Sequence, residues 1–150
     1  MSKFKFRMAT LLRLRETTRD QRRGELAEAY RVDEVLQRQL QQIQGDLTAL
    51  RLQCRSAVGP GEVNVDRLVE AQRYEVALLA QQQQVVRQRE QVQNEIQRRR
   101  QILVEANREV HVLESLRDKQ ADRHRQEEDR RDMKRLDEVA QQQSLREVAQ

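Results

Sequence analysis

Stepping alternately by three and four residues from Leu68 touches Ala71, Glu75, Leu78, Gln82, Val85, Arg89, Val92, Ile96, Arg99, Leu103, Ala106, Val110 and Leu113. Ten of these fourteen positions are apolar. A repeat of 3.5 residues, rather than the 3.6 of a straight helix, is the pattern of a left-handed coiled coil with this stripe as its seam. A matching stripe runs backward through Cys54, Leu50, Leu47, Ile43, Leu40, Leu36, Val32, Ala29 and Leu26, and resumes after a polar gap at Leu11 and Met8. Its spacing slips by one residue near Leu36, which predicts a local stutter.

Four glycines and one proline are the only strong helix breakers, and three of the five sit together at Gly59-Pro60-Gly61, with neither residue type afterwards. Proline removes a backbone donor and glycine frees φ, so this cluster marks the turn. The chain is otherwise dominated by Arg, Gln, Glu, Leu and Ala, all good helix formers. The predicted fold is all-α: two long helices forming an antiparallel coiled-coil hairpin, with helix two extending beyond the paired region. A single hairpin over residues 1–150 would have helix one at about 5–57, the turn at about 58–63 and helix two at about 64–146, capped by Asn64. Facing residues then have numbers adding to roughly 122. Cys54 faces Leu68, Ile43 faces Leu78 or Leu79, Ala29 faces Val92 and Met8 faces Leu113. The same register sets Arg22 near Arg99 and Arg100, a like-charge contact that Asp20, Glu25 or Glu95 would have to relieve, and predicts the loosest stretch there.

Beyond Leu113 the stripe fades, and residues 117–132 carry twelve charges of both signs. A helix there persists through i,i+4 pairs such as Glu127 with Arg131, without an intramolecular partner. At 1.5 Å per residue the paired part spans about 75 Å and the overhang about 45 Å.

The composition agrees with a thin, solvated coil: 36% charged and 3% aromatic residues, no tryptophan, 25 Arg and 23 Gln. Too little bulky apolar material is present for a thick core or an enzyme-sized pocket. Disorder is the competing reading of such polarity, and the helical recurrence of Leu, Ile and Val argues against it. The single Cys54 requires no oxidising compartment and sits at the seam as a small core residue. No run approaches the roughly 20 apolar residues of a membrane span. Lys3 to Arg15 is basic and acid-free like an organelle presequence, but the helix pattern runs on through Glu16 without a change in composition.

The net charge of +4 is unevenly distributed: the first 23 residues hold eight basic and two acidic side chains, and the remainder is net negative. Basic residues oppose the dipole at a helix N-terminus, so an acidic partner surface or nucleic acid competes with plain solubility as their explanation. Without a companion aromatic stacking platform, nucleic acid is the weaker of the two partners. Helix two carries a second apolar stripe beside the seam, Val69, Val76, Leu79 and Val86, with Tyr74 off the seam on the same segment. A docking face is one reading and a stripe covered by Arg73 and the glutamines is the other. Tyrosine is enriched at binding hot spots, which favours docking. His111 and His124 lack partners at metal-ligand spacing, and no catalytic triad, carboxylate pair or phosphate loop can be assembled. A non-catalytic protein without cofactor, metal or small-molecule substrate is expected.

Phe6-Arg7-Met8-Ala9-Thr10-Leu11-Leu12-Arg13-Leu14-Arg15-Glu16 resembles the opening of the flagellar export protein FliJ family. Tyr74 with its glutamine-rich run resembles the start of that family's second helix, Arg98 to Leu116 its middle, and Met133-Lys134-Arg135-Leu136-Asp137-Glu138-Val139-Ala140 its end. The four blocks occur in the right order over nearly the whole chain. The resemblance implies an antiparallel coiled coil similar to the central gamma stalk of rotary ATP synthases. It implies a cytoplasmic protein peripherally associated with the inner-membrane type III export apparatus and with flagellum biogenesis. The implied partners are the hexameric export ATPase FliI, the export gate protein FlhA and export chaperones. Leu11, Leu12, Arg13, Arg15, Glu16, Leu136, Asp137 and Glu138 are the expected ring contacts, and Tyr74, Leu78 and Leu79 the expected gate contacts. Alternatives are the equivalent stalk of a virulence secretion system and an arginine-rich coiled coil that binds nucleic acid.

Overall fold

The computed structural model describes residues 3–59 and 61–148, with side chains described through residue 146; Pro60 of the predicted turn lies outside the described residues. Two α-helices, α1 (Ala9–Ala57) and α2 (Val65–Val148), form an all-α helical hairpin, and no strand occurs among the described residues. Before α1 a turn closes as the Ala9 amide donates to the Phe6 carbonyl at 3.2 Å. Asn64 caps α2: its side-chain oxygen accepts the Arg67 amide at 3.3 Å and its carbonyl accepts the Leu68 amide at 3.3 Å, so two of the helix's first amides are satisfied. Contacts divide the chain into two compact units, each built from parts of both helices: Gln21–Leu103, and Met1–Asp20 with Val104–Gln150.

Within Gln21–Leu103, Leu36, Ile43, Leu47 and Leu50 of α1 close over Leu78 and Val85 of α2, with Leu40, Ala71 and Val92 packed at the margin. All eleven stripe positions predicted on α2 in this unit, from Leu68 to Leu103, are buried or half-buried. Burial of each such Leu, Ile or Val side chain is worth about 1.5–3 kcal/mol, and it is this narrow seam that holds two otherwise hydrophilic helices together.

The predicted stutter near Leu36 is absent. From Cys54 the inward positions of α1 run through residues 50, 47, 43, 40, 36, 33 and 29 without a slip. Asp33, not Val32, takes the inward position; the Asp33 side chain is 15% exposed, whereas Val32 is 48% exposed. Apolar counting misplaced the stripe because a carboxylate is stable at a seam when a cation faces it. The facing residue is Arg89, whose Nε donates to Asp33 Oδ1 at 2.9 Å, and Gln93 Nε2 donates to the same oxygen at 3.1 Å. Asp33 with Arg89 and Arg51 with Glu75, the latter at 3.2 Å, both fall close to the predicted antiparallel register.

The unit of Met1–Asp20 with Val104–Gln150 buries Leu12, Ala106 and Val110, the last only 2% exposed. Here a second correction is needed: Leu12, at 6% exposure, enters the core, and Leu11, at 39%, faces outward. Arg15 and Arg19 occupy the half-buried inward positions that lead to Leu12, so the apparent polar gap is a seam populated by arginines. Arg15 is met there by Glu109 at 2.9 Å. Met8, predicted to face Leu113, is exposed.

The stripe on α2 also continues past Leu113. Arg117, Ala121, His124 and Glu128 are half-buried at steps of three and four, and the Phe4 ring lies 5.8 Å from the His124 imidazole, tilted by 43°. The segment before α1 therefore gives this stretch of α2 an intramolecular partner that charge counting concealed. From residue 129 to residue 146 every described side chain is exposed.

Candidate functional site

No groove with convergent catalytic groups is present among the described residues, nor any cluster of His, Cys, Asp and Glu fit to hold a metal. The candidates for function are therefore surfaces. Two were predicted, one near each end of the sequence and one on the N-terminal part of α2.

The expected ring contacts separate into two places on one unit. Leu11, Arg13 and Leu14 lie on the exposed side of the first turns of α1, while Leu12 is buried beneath them. Arg15 is engaged by Glu109 and Glu16 is half-buried. Leu136, Asp137 and Glu138 are fully on the outer stretch of α2, with Met133, Val139 and Leu145 also exposed. Twenty-seven residues of helix separate Glu109 from Leu136, about 40 Å. The two groups are thus not brought into one patch. Neither Arg13 nor Asp137 nor Glu138 has an ion-pair partner among the described residues, and all three are exposed.

The three expected gate residues are also unlike one another. Tyr74 stands exposed on α2, Leu79 is 38% exposed, and Leu78, at 5%, is a member of the hydrophobic core. Of the three, therefore, Tyr74 and Leu79 are at the surface, with Val76 and Val86 exposed beside them, and Leu78 lies beneath.

Within Gln21–Leu103, two of the arginines predicted to repel, Arg22 and Arg99, are met by carboxylates, and the third, Arg100, by a tyrosine. Arg22 donates to both oxygens of Glu25 at 3.1 and 3.3 Å. Arg98 grips Glu95 with a two-pronged contact at 2.7 and 3.0 Å, and Arg99 Nε shares the same carboxylate at 2.8 Å. The Arg98 contacts first, then those of Arg99, pull the Glu95 carboxyl down to about 2. Arg99 also donates to the Glu25 backbone carbonyl, and Arg100 reaches the Tyr30 hydroxyl, its Nε at 2.7 Å, with its guanidinium carbon 5.5 Å from the ring centroid. Tyr30 was not singled out by the sequence. The antiparallel register gave no signal for it, because it sets Arg100 near Arg22, eight residues from Tyr30; the pair forms because two long side chains reach along the coil to make a favourable guanidinium–aromatic contact.

The Asp33–Arg89 pair makes the hairpin sensitive to acid. Hydrogen bonding from Arg89 is the main cause holding the Asp33 carboxyl below its ordinary value of 3.8, Gln93 adds to it, and burial works in the opposite direction. A carboxyl whose pKa is lowered by folding contributes stability that is complete above its unfolded value and lost as pH falls through its folded value. The thermal midpoint of the wild type should hold from neutrality to about pH 4 and decline below it, and Asp33→Asn should be less stable at pH 7 but decline less steeply in acid. Parallel acid profiles for the two proteins, recorded by circular dichroism, would remove this pair from the account.

A family model described as Flagellar FliJ protein matches residues 4–149. No curated protein and no solved structure matches the chain.

Proposed function

Since the chain belongs to the flagellar FliJ family, whose members take part in flagellar protein export, we propose that it is the non-catalytic coiled-coil stalk of the flagellar type III export apparatus. On this reading it binds the hexameric export ATPase FliI and the export gate protein FlhA, promotes assembly of the ATPase ring and couples the ring to export. It works at the cytoplasmic side of the inner membrane, and none of the described helices is long and apolar enough to cross a membrane. Export chaperones are further partners in this scheme.

The observation that carries the proposal is the family match over nearly the full hairpin, and the surfaces are chemically suited to it. An outer stretch of α2 whose described side chains are all exposed from residue 129 to 146 combines charge with Met133, Leu136 and Val139, the composition of a helix face completed by another protein. Arg13 and its neighbours supply positive charge suited to an acidic rim. Several of the arginines that raised the nucleic-acid alternative are paired with carboxylates, as at Arg15, Arg22, Arg89, Arg98 and Arg99, which weakens that reading.

Co-elution of the chain with its cognate export ATPase tests the first half of the proposal, and loss of co-elution when residues 132–150 are removed is expected. For the second half, Tyr74→Ala should weaken binding to the isolated gate protein about tenfold, as truncation of an aromatic hot spot does, with helicity unchanged because the side chain is exposed. Unaltered gate affinity would reduce Tyr74 to a surface residue.

A further inference from the structure

Both phenylalanines of the chain lie before α1, in the alternating run Lys3-Phe4-Lys5-Phe6-Arg7. Residues 3–6 are not helical. In an extended segment successive side chains point to opposite sides, and the exposures follow that division. Phe6 is half-buried and the Phe4 ring lies on His124, whereas Lys3, Lys5 and Arg7 are exposed.

The ion pair of Arg15 with Glu109 fixes the level of the two chain segments in this unit. Ala9, where α1 begins, is six residues before Arg15 and so comes level with residue 115 of α2. Continued as a helix, the chain would bring Phe4 only to the level of residue 120. Its ring instead meets His124, nine residues past 115. Five residues therefore cover about 13.5 Å of α2, about 2.7 Å each, well above the helical rise of about 1.5 Å and near that of extended chain. Beyond the level of residue 115, α1 offers α2 nothing. Among the described residues it is this segment that lies against the half-buried positions Arg117, Ala121, His124 and Glu128, and His124 also comes within 3.8 Å of Glu128.

We propose that residues 3–7 are a strap that fixes the course of α2 through residues 117–128, and that Phe4 is a positioning residue for the exposed stretch from 129 to 146. Residues 117–132 carry twelve charges and no apolar stripe, a composition that leaves an isolated helix frayed. A strap laid along its base keeps the helix continuous, so a partner that binds the outer stretch is spared the entropic cost of ordering it. The alternating pattern suits this task, since one edge of the strap supplies two aromatic rings to α2 and the other keeps three cations in water. The strap needs no second protein; only its consequence for binding rests on the reading of Leu136, Asp137 and Glu138 as ring contacts.

Hydrogen exchange of the full chain, followed by mass spectrometry, is the test. In the wild type, amides of residues 117–128 should exchange at least tenfold more slowly than those of 132–146, the difference between a covered and an uncovered helix. Phe4→Ala should abolish that difference and leave Gln21–Leu103 unchanged, and Phe4→Tyr, which keeps the ring, should preserve it. Adding His124→Ala to Phe4→Ala should bring no further loss, because both remove one contact. Affinity for the export ATPase should fall about fivefold with Phe4→Ala and recover with Phe4→Tyr. Exchange over 117–128 that is the same in wild type and Phe4→Ala overturns the strap, and lost protection with unchanged ATPase affinity overturns the positioning role. A wild-type chain with a protected 117–128 that fails to bind the ATPase would count against the stalk assignment and leave the strap standing.

Discussion

Combining Arg13→Glu with Asp137→Arg and Glu138→Arg is expected to return the turnover of the export ATPase to its unstimulated rate, while the helical content of the variant remains that of the wild type. The three side chains are exposed, and none has an ion-pair partner among the described residues, so reversing them removes nothing that holds the hairpin together. Each lost charge contact at an interface typically weakens binding by at least tenfold, about 1.4 kcal/mol, and three together exceed what a working micromolar complex tolerates. Arg15 is a poorer choice for this experiment. Its guanidinium is 2.9 Å from Glu109, and a glutamate there would set two carboxylates together on the coil, which confuses folding with binding. Turnover that stays fully stimulated, with affinity unchanged, would place the ring contact elsewhere on the chain.

The second large effect concerns the seam. Ile43→Asp should cost several kcal/mol, because it sets an unpaired carboxylate among Leu36, Leu47 and Leu78 where no cation is available to meet it. For a chain of this size that corresponds to a fall in the thermal midpoint of roughly 10 °C. Val32→Asp supplies the contrast. The sequence stripe places Val32 at the seam, whereas the structure turns it outward, and an aspartate on an exposed helix face changes stability by only about 0.5 kcal/mol. Circular dichroism melts of the two variants side by side therefore read the register directly. Equal losses would restore the stutter and remove Asp33 from the inward position.

Those two positions show what a hydrophobic pattern conveys and where it stops. The α2 stripe could be followed over all fourteen of its predicted positions because bulky aliphatic residues recur often enough to fix the phase, and its four polar members were then correctly placed by spacing alone. On α1 the phase was lost wherever the inward residue was polar. Asp33 looked like a surface acid because its value depends on Arg89, a residue 56 positions away in the chain. The same limitation turned Arg15 and Arg19 into a gap and promoted Leu11 over Leu12. A rule that allows opposite charges at matched antiparallel positions would have recovered Asp33 and Arg15, though not Arg19, whose partner Asp20 lies on its own helix.

The surfaces were less legible than the seam. Leu78 and Leu79 are adjacent and equally apolar; the heptad spacing put Leu78 on the seam and Leu79 beside it, as the structure does, whereas the resemblance had offered both as gate contacts. Phe4 was invisible as a partner of His124 because no periodic signal precedes α1, and a single aromatic contact has no sequence signature. Leu11 to Glu16 and Leu136 to Glu138 came from resemblance, and physical reasoning about the residues adds that they form two separate patches. Two patches on one unit fit a partner that is itself extended or repeated more readily than a small compact one.

Turnover and oligomeric state of the cognate export ATPase, measured with and without the full chain at low and at physiological salt, test the central claim most directly. The stalk assignment predicts stimulated turnover accompanied by a shift of the ATPase toward hexamers, with stimulation strongest at low salt because exposed charges contribute to the contact. Unchanged turnover and unchanged assembly at both salt concentrations, in the presence of a folded helical hairpin, would contradict it.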